Sequence, residues 1–148
     1  MSELTRIKQQ LDAAFNGGAW HGPSLSDTID GVTATEAAAR PVGQAHSIHE
    51  LVAHISGWTD VIRRRVTGEA ADEPVEGDWP VLATATDASW RAEVDRLTAR
   101  YDALVAAIDT LDEGALDTAV APGGSTIYQS LHGAIQHAIY HAGQIAIL

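Results

Sequence analysis

The chain has no cysteine. That absence excludes disulfides, thiolate metal ligands and a cysteine nucleophile, so any bound metal must be held by nitrogen and oxygen. Basic residues are scarce too: 9 Lys and Arg stand against 20 Asp and Glu, the formal net charge is −11, and no basic run exceeds Arg63-Arg64-Arg65. A surface of that sign repels phosphate backbones and anionic lipid, so neither nucleic acid nor a membrane is an expected partner. The N-terminal segment carries Glu3, Arg6, Lys8, Gln9 and Gln10 and no apolar stretch of signal-peptide or membrane-spanning length. A cytoplasmic location is the expectation. Strand-like alternation, internal repeats and low-complexity tracts are also missing.

What is present is helical periodicity. With 148 residues and 45% hydrophobic content, the chain suits one soluble globular domain over residues 1–148. Leu4, Ile7, Leu11 and Phe15 mark a first helix that Asn16-Gly17-Gly18 stops. Trp20 to Pro41 reads as loop, with one short helical piece after the capping box Thr33/Glu36. A second box, Ser47/Glu50, opens a helix with the stripe Ile48, Leu51, Ile55, Trp58, Ile62, ending at Gly68. The acidic, proline-containing stretch from Gly68 to Pro80 predicts a crossover loop. A long helix follows from near Asp87, with Trp90, Val94, Leu97, Tyr101, Leu104, Val105 and Ile108 inward and Arg91, Glu93, Asp95, Arg96 and Arg100 on the other faces. Pro122-Gly123-Gly124 breaks the chain, Ser125 is the expected cap, and Ile127, Leu131, Ala134, Ala138, Ala142 and Ile145 make the last stripe. The pattern predicts an all-α, four-helix bundle with long connections.

Chemistry concentrates in histidine. His137 and His141 are four residues apart on the last helix, so their rings point the same way from adjacent turns, and His54 lies on the second helix. All three fall on the flank of their apolar stripes, His54 roughly 95° from the stripe centre at about 100° per residue. Two readings stand on spacing alone: a shared metal ion, or partly buried histidines hydrogen-bonded to their neighbours. His132 is five residues from His137 and about 140° away around the helix, which excludes it. His46 precedes the cap and is expected at the surface.

Two stretches carry a resemblance, Ser47-Ile48-His49-Glu50-Leu51-Val52-Ala53-His54-Ile55-Ser56-Gly57-Trp58 and His137-Ala138-Ile139-Tyr140-His141-Ala142-Gly143-Gln144-Ile145. With Trp20-His21-Gly22-Pro23-Ser24-Leu25 after the first helix, the chain resembles the DinB/YfiT-like superfamily of metal-dependent enzymes. The resemblance implies an up-up-down-down order of helices, a homodimer, and a divalent metal held by His54, His137 and His141. All-nitrogen ligation points to zinc, nickel or iron. Three protein ligands leave positions for water or a small-molecule substrate. The resemblance further implies thiol-dependent S-transfer with a low-molecular-weight cosubstrate such as bacillithiol or mycothiol. Alternatives are a metal-dependent hydrolase and a non-catalytic, stress-linked metal-binding bundle.

Around these ligands, each further residue has two readings. Glu50 orients His54 or only closes the box with Ser47. Gln144 touches a metal-bound ligand or bonds a neighbouring helix. His21 folds over the pocket mouth with its turn or sits free at the surface. His49, a position often bulky and apolar in relatives, lines the pocket or faces solvent. Trp58 is a core residue that also walls the pocket, and Arg65 either pairs with acidic neighbours or attracts an anionic substrate. No glutamate follows His137, where a metalloprotease His-Glu-x-x-His helix has its base, because Ala138 stands there. Any acid or base must come from elsewhere.

Overall fold

Each helix begins where a short polar side chain can accept the orphan N–H groups of the first turn. The computed structural model describes residues 1–148, the side chain of Pro122 excepted. Its six α-helices are α1 (Glu3–Asn16), α2 (Leu25–Ile29), α3 (Ala34–Ala38), α4 (Ile48–Val66), α5 (Asp87–Ile108) and α6 (Ile127–Ile145). Among the described residues there is no strand, and Ala119 and Thr126 form an isolated bridge. Among the described residues no helix is long and apolar enough to cross a membrane.

Two helix starts differ from the sequence expectation. α2 was hidden in a stretch read as loop, yet Ser24 and Asp27 form a reciprocal capping box, with the Ser24 N–H donating to Asp27 Oδ2 at 2.8 Å. Aspartate in place of glutamate closes the same ring. The cap of α6 is Thr126 rather than Ser125, because Gln129 lies three residues on and completes a box with Thr126. The Ser125 carbonyl instead accepts the Val120 N–H at 2.9 Å, holding the turn before the helix.

The four long helices α1, α4, α5 and α6 enclose one apolar core, with Leu11, Ile55, Leu104, Ile108 and Leu131 fully buried. Each such side chain contributes about 1.5–3 kcal/mol on leaving water. α4 packs against both α5 and α6 and is buried on nearly every side, which brings His49 and His54 inside together. Glu93 departs from the expected outer face of α5: it is 2% exposed, and its Oε2 meets Arg96 at 2.8 Å. Burial raises its carboxyl above the ordinary range, against the nearby Arg96 and Arg100 charges.

The α4–α5 connection is anchored against the body of the protein. Gly57 on α4 has no Cβ, and the ring of Pro74 fills that space. Glu76 accepts from Arg100 of α5 at 2.5 Å, and Arg100 also donates to Ser56 Oγ at 3.3 Å. Gly77 then turns the chain with φ of +91°, a conformation that favours glycine. The turn delivers Asp78 and Trp79 to His54.

Candidate metal centre

His54 from α4 and His137 and His141 from α6 converge on one point. His54 Nε2 is 2.9 Å from His137 Nε2, and His141 Nε2 is 3.1 Å from the same atom. One ligand atom from each of the three lies within 4.8 Å of the others, a grouping that could hold a metal ion. Tetrahedral ligands at zinc–nitrogen distances of about 2.0–2.1 Å would sit roughly 3.3 Å apart, close to this spacing.

The protons decide whether those nitrogens can bind. A neutral imidazole donates from one nitrogen and accepts at the other. His54 Nδ1 donates to the Asp78 carbonyl at 2.7 Å, and His141 Nδ1 donates to Gln144 Oε1 at 2.5 Å. Both partners are acceptors, so each proton stays on Nδ1 and each Nε2 turns its lone pair toward His137. Lone pairs facing one another repel unless a proton or a cation lies between them. The donor set therefore fits a divalent ion.

Asp78 and Trp79 are the residues that sequence reasoning missed. Asp78 Oδ1 lies 3.3 Å from His54 Nδ1 and accepts from Trp58 Nε1 at 2.7 Å. Trp79 stacks flat on His54 at 3.9 Å between ring centroids and flat on His46 at 3.5 Å. His46 is thus half-buried in a three-ring stack instead of free at the surface. No helical periodicity points to either residue, since both belong to the connection. Asp-Trp-Pro at its end was the one available signal.

The other expected neighbours distribute as follows. Gln144 reaches no neighbouring helix; its Oε1 holds the ring of the candidate ligand His141 from behind. Glu50 is bonded to the Ser47 N–H at 2.8 Å and to Arg40 at 2.5 Å, so it serves the cap and does not reach His54. Burial would raise its carboxyl, but the Ser47 bonds and the Arg40 charge outweigh that and hold it below the ordinary range. His49 is buried against the edge of Trp90 at 5.9 Å, neither in the pocket nor in solvent, and burial lowers its pKa. His21 is exposed and does not line the histidine cleft. His132 contacts Tyr128 at 4.4 Å, away from the three rings. Trp58 does wall the cleft, 6.4 Å from both His54 and His137.

That cleft has a volume of about 530 Å³ and runs from the three histidines toward the C-terminal end of α4 and the N-terminal end of α6. Ile62, Ala134 and Trp58 give it apolar walls, and Asp78 is its one carboxylate.

Burial, with the neighbouring His141 and His54, lowers the His137 pKa to about 4, and burial also lowers that of His141. The unfolded chain then takes up protons first, near 6.5. Metal-free protein should therefore keep its full stability above about pH 6.5 and lose it progressively down to about pH 4. Thermal melts across that range test this: His137→Ala should show a shallower decline than the parent. Proton competition with a metal at His137 likewise sets in below the ordinary histidine value.

Fold and site together define a helical protein with an open three-histidine cluster. A family model of the DinB superfamily matches residues 19–145, and the chain belongs to that superfamily. A solved structure described as that of the conserved protein of locus from Enterococcus faecalis superposes with a TM-score of 0.71. It is 18% identical, with 99% of this chain and 94% of that one covered, and so shares the fold. No curated protein matches the chain.

Proposed function

We propose that the protein is a metal-dependent enzyme in which His54, His137 and His141 bind one divalent ion, zinc, nickel or iron, and that it transfers a small cellular thiol to an electrophile. The observation that carries this reading is the convergence of three Nε2 atoms on the wall of a cleft large enough for a small molecule. Three neutral ligands leave the ion its full positive charge and open positions, so when bound it would act as a Lewis acid toward an incoming sulfur or oxygen. The protein supplies the rest. Asp78 lines the cleft and its Oδ2 is free of the Trp58 bond. It would take the proton from the thiol as the sulfur forms its bond to an electrophilic carbon and that carbon's leaving group departs with the bonding pair. Trp58, Ile62 and Ala134 keep the reacting sulfur out of bulk water. Gln144, Asp78 and Trp79 hold two of the three rings in place.

One domain with its four long helices in up-up-down-down order, a cytoplasmic location and a homodimer belong to the same reading. The exposed apolar side chains of Val42, Tyr140 and Ile147 support self-association. Net charge of −11 speaks against nucleic acid as a partner.

Protein purified without a histidine tag should hold about one ion per chain and, with bacillithiol or mycothiol, should accelerate consumption of a small electrophile. With zinc kept saturating, Asp78→Asn should lower kcat by about 10²-fold, the usual scale of a lost general base, and the ion should stay bound because the backbone carbonyl that holds His54 Nδ1 remains. Turnover of the same substrates by water without any thiol would replace transfer by hydrolysis. A cobalt-substituted site should show a sulfur-to-metal charge-transfer band on adding the thiol. No band and no turnover across several thiols would reject the proposal.

A further inference from the structure

The cleft has a second end, and its residues are of a different kind from those at the histidines. Ser130 lies seven residues before His137 on α6, close to two full turns, so it shares the same face about 10 Å along the helix. It is 6% exposed, lines the cleft, and its Oγ has no hydrogen-bond partner. A buried hydroxyl left unmatched destabilises the fold, and a ligand that matches it recovers that cost.

Arg65 of α4 lines the same end. It lies eleven residues after His54, close to three turns, on the matching face. Its Nε donates to the Ala71 carbonyl at 2.7 Å and one Nη to the Asp72 carbonyl at 3.2 Å, which fixes the guanidinium against the connection. Neither carbonyl neutralises it, and the Asp72 carboxylate acts on it only from beyond salt-bridge distance. Among the described residues Arg65 has no carboxylate within salt-bridge distance, whereas Arg63, Arg64, Arg96 and Arg100 all do. In a chain of net charge −11, a fixed, half-buried cation with no carboxylate in direct contact is conspicuous beside an unmatched hydroxyl.

We propose that Arg65 and Ser130 form a carboxylate subsite, so that the small molecule reacting at the histidines carries a carboxylate about 10 Å from its reacting atom. The remaining Nη of Arg65 and the Ser130 hydroxyl are two donors, matching the two oxygens of a carboxylate. Gly133 and Ala134 between the two ends leave room for an apolar connecting chain. The inference deepens the proposed function and rests on its choice of cleft, but the preference for an anion does not depend on the metal.

The probes are 8-mercaptooctanoate and 8-mercaptooctanol, equal in length and differing in the terminal group. Binding is measured by calorimetry on zinc-loaded protein and by amide shifts of Ser130 and Gly133 on metal-free protein. The acid should bind about tenfold tighter than the alcohol in both forms. Arg65→Gln should bring that ratio below about twofold, Ser130→Ala should reduce it about threefold, and Arg65→Lys, which keeps the charge, should retain part of it. Equal binding of acid and alcohol to the parent protein, or a ratio unchanged in Arg65→Gln, would overturn the subsite. If zinc tightens neither probe while the ratio persists, the metal reading fails and the subsite stands.

Discussion

Replacing His137 by alanine should cost the protein its divalent ion. His137 Nε2 is the atom that both other Nε2 atoms approach, at 2.9 and 3.1 Å, so its loss removes one ligand and the geometry that relates the other two. His54→Ala and His141→Ala should act alike, and His132→Ala should leave metal content unchanged because that ring faces Tyr128. The contrast extends to Gln144: Gln144→Leu keeps all three ligands but frees the His141 ring, and should weaken binding by about 10 to 100-fold, the usual effect of losing an outer partner. Loss on His137→Ala should exceed that. Isothermal titration with zinc on metal-free protein, with elemental analysis of purified variants, measures the series. Full metal retention in the His54 and His137 variants would mean that the three rings are only a hydrogen-bonded cluster. The fold should survive in each case, since the core of α1, α4, α5 and α6 is independent of the ion.

Gly57→Ala should be the most damaging single-methyl change. An added Cβ would stand 2.9 Å from Pro74 Cβ and 3.0 Å from Pro74 Cγ, closer than carbon atoms approach, and a proline ring cannot swing aside. Overpacking of this kind costs about 1–3 kcal/mol, and the helix propensity gained by alanine, about 1 kcal/mol, offsets part of it. The larger consequence is positional. Pro74 anchors the connection that carries Asp78 and Trp79 onto His54, so pushing it outward should loosen the ring and reduce metal affinity by about tenfold. Gly143→Ala is the control: its Cβ would meet nothing within 4 Å on α6, and it should raise stability by about 0.5–1 kcal/mol. Denaturant melts of both variants decide the matter, opposite signs being the expected result. Equal stabilisation by the two substitutions would show that the connection yields freely.

Helix content and the histidine pair were legible in the sequence because both depend on local geometry. Capping boxes at Thr33 and Ser47, apolar stripes of period 3.6 and the four-residue spacing of His137 and His141 all lie within a few turns of one helix. Locally encoded features that escaped notice, such as the Ser24/Asp27 box of α2, obey the same rule with a different acid. Everything that depends on which helix lies beside which had to wait for tertiary structure. Packing of α4 against α5 buries Glu93 and turns His49 toward Trp90, although their wheel positions alone allowed both to face water. Packing of α4 beside α6 brings His54 to His137, 83 residues away, and to His141 one turn further on. The partners that set the ring protons come from elements with no period to read: a connection whose course is set by Gly57, Arg100 and Gly77 places Asp78 and Trp79 on His54. Periodicity determined which side chains share a face; only the packing of those faces decided which atoms meet.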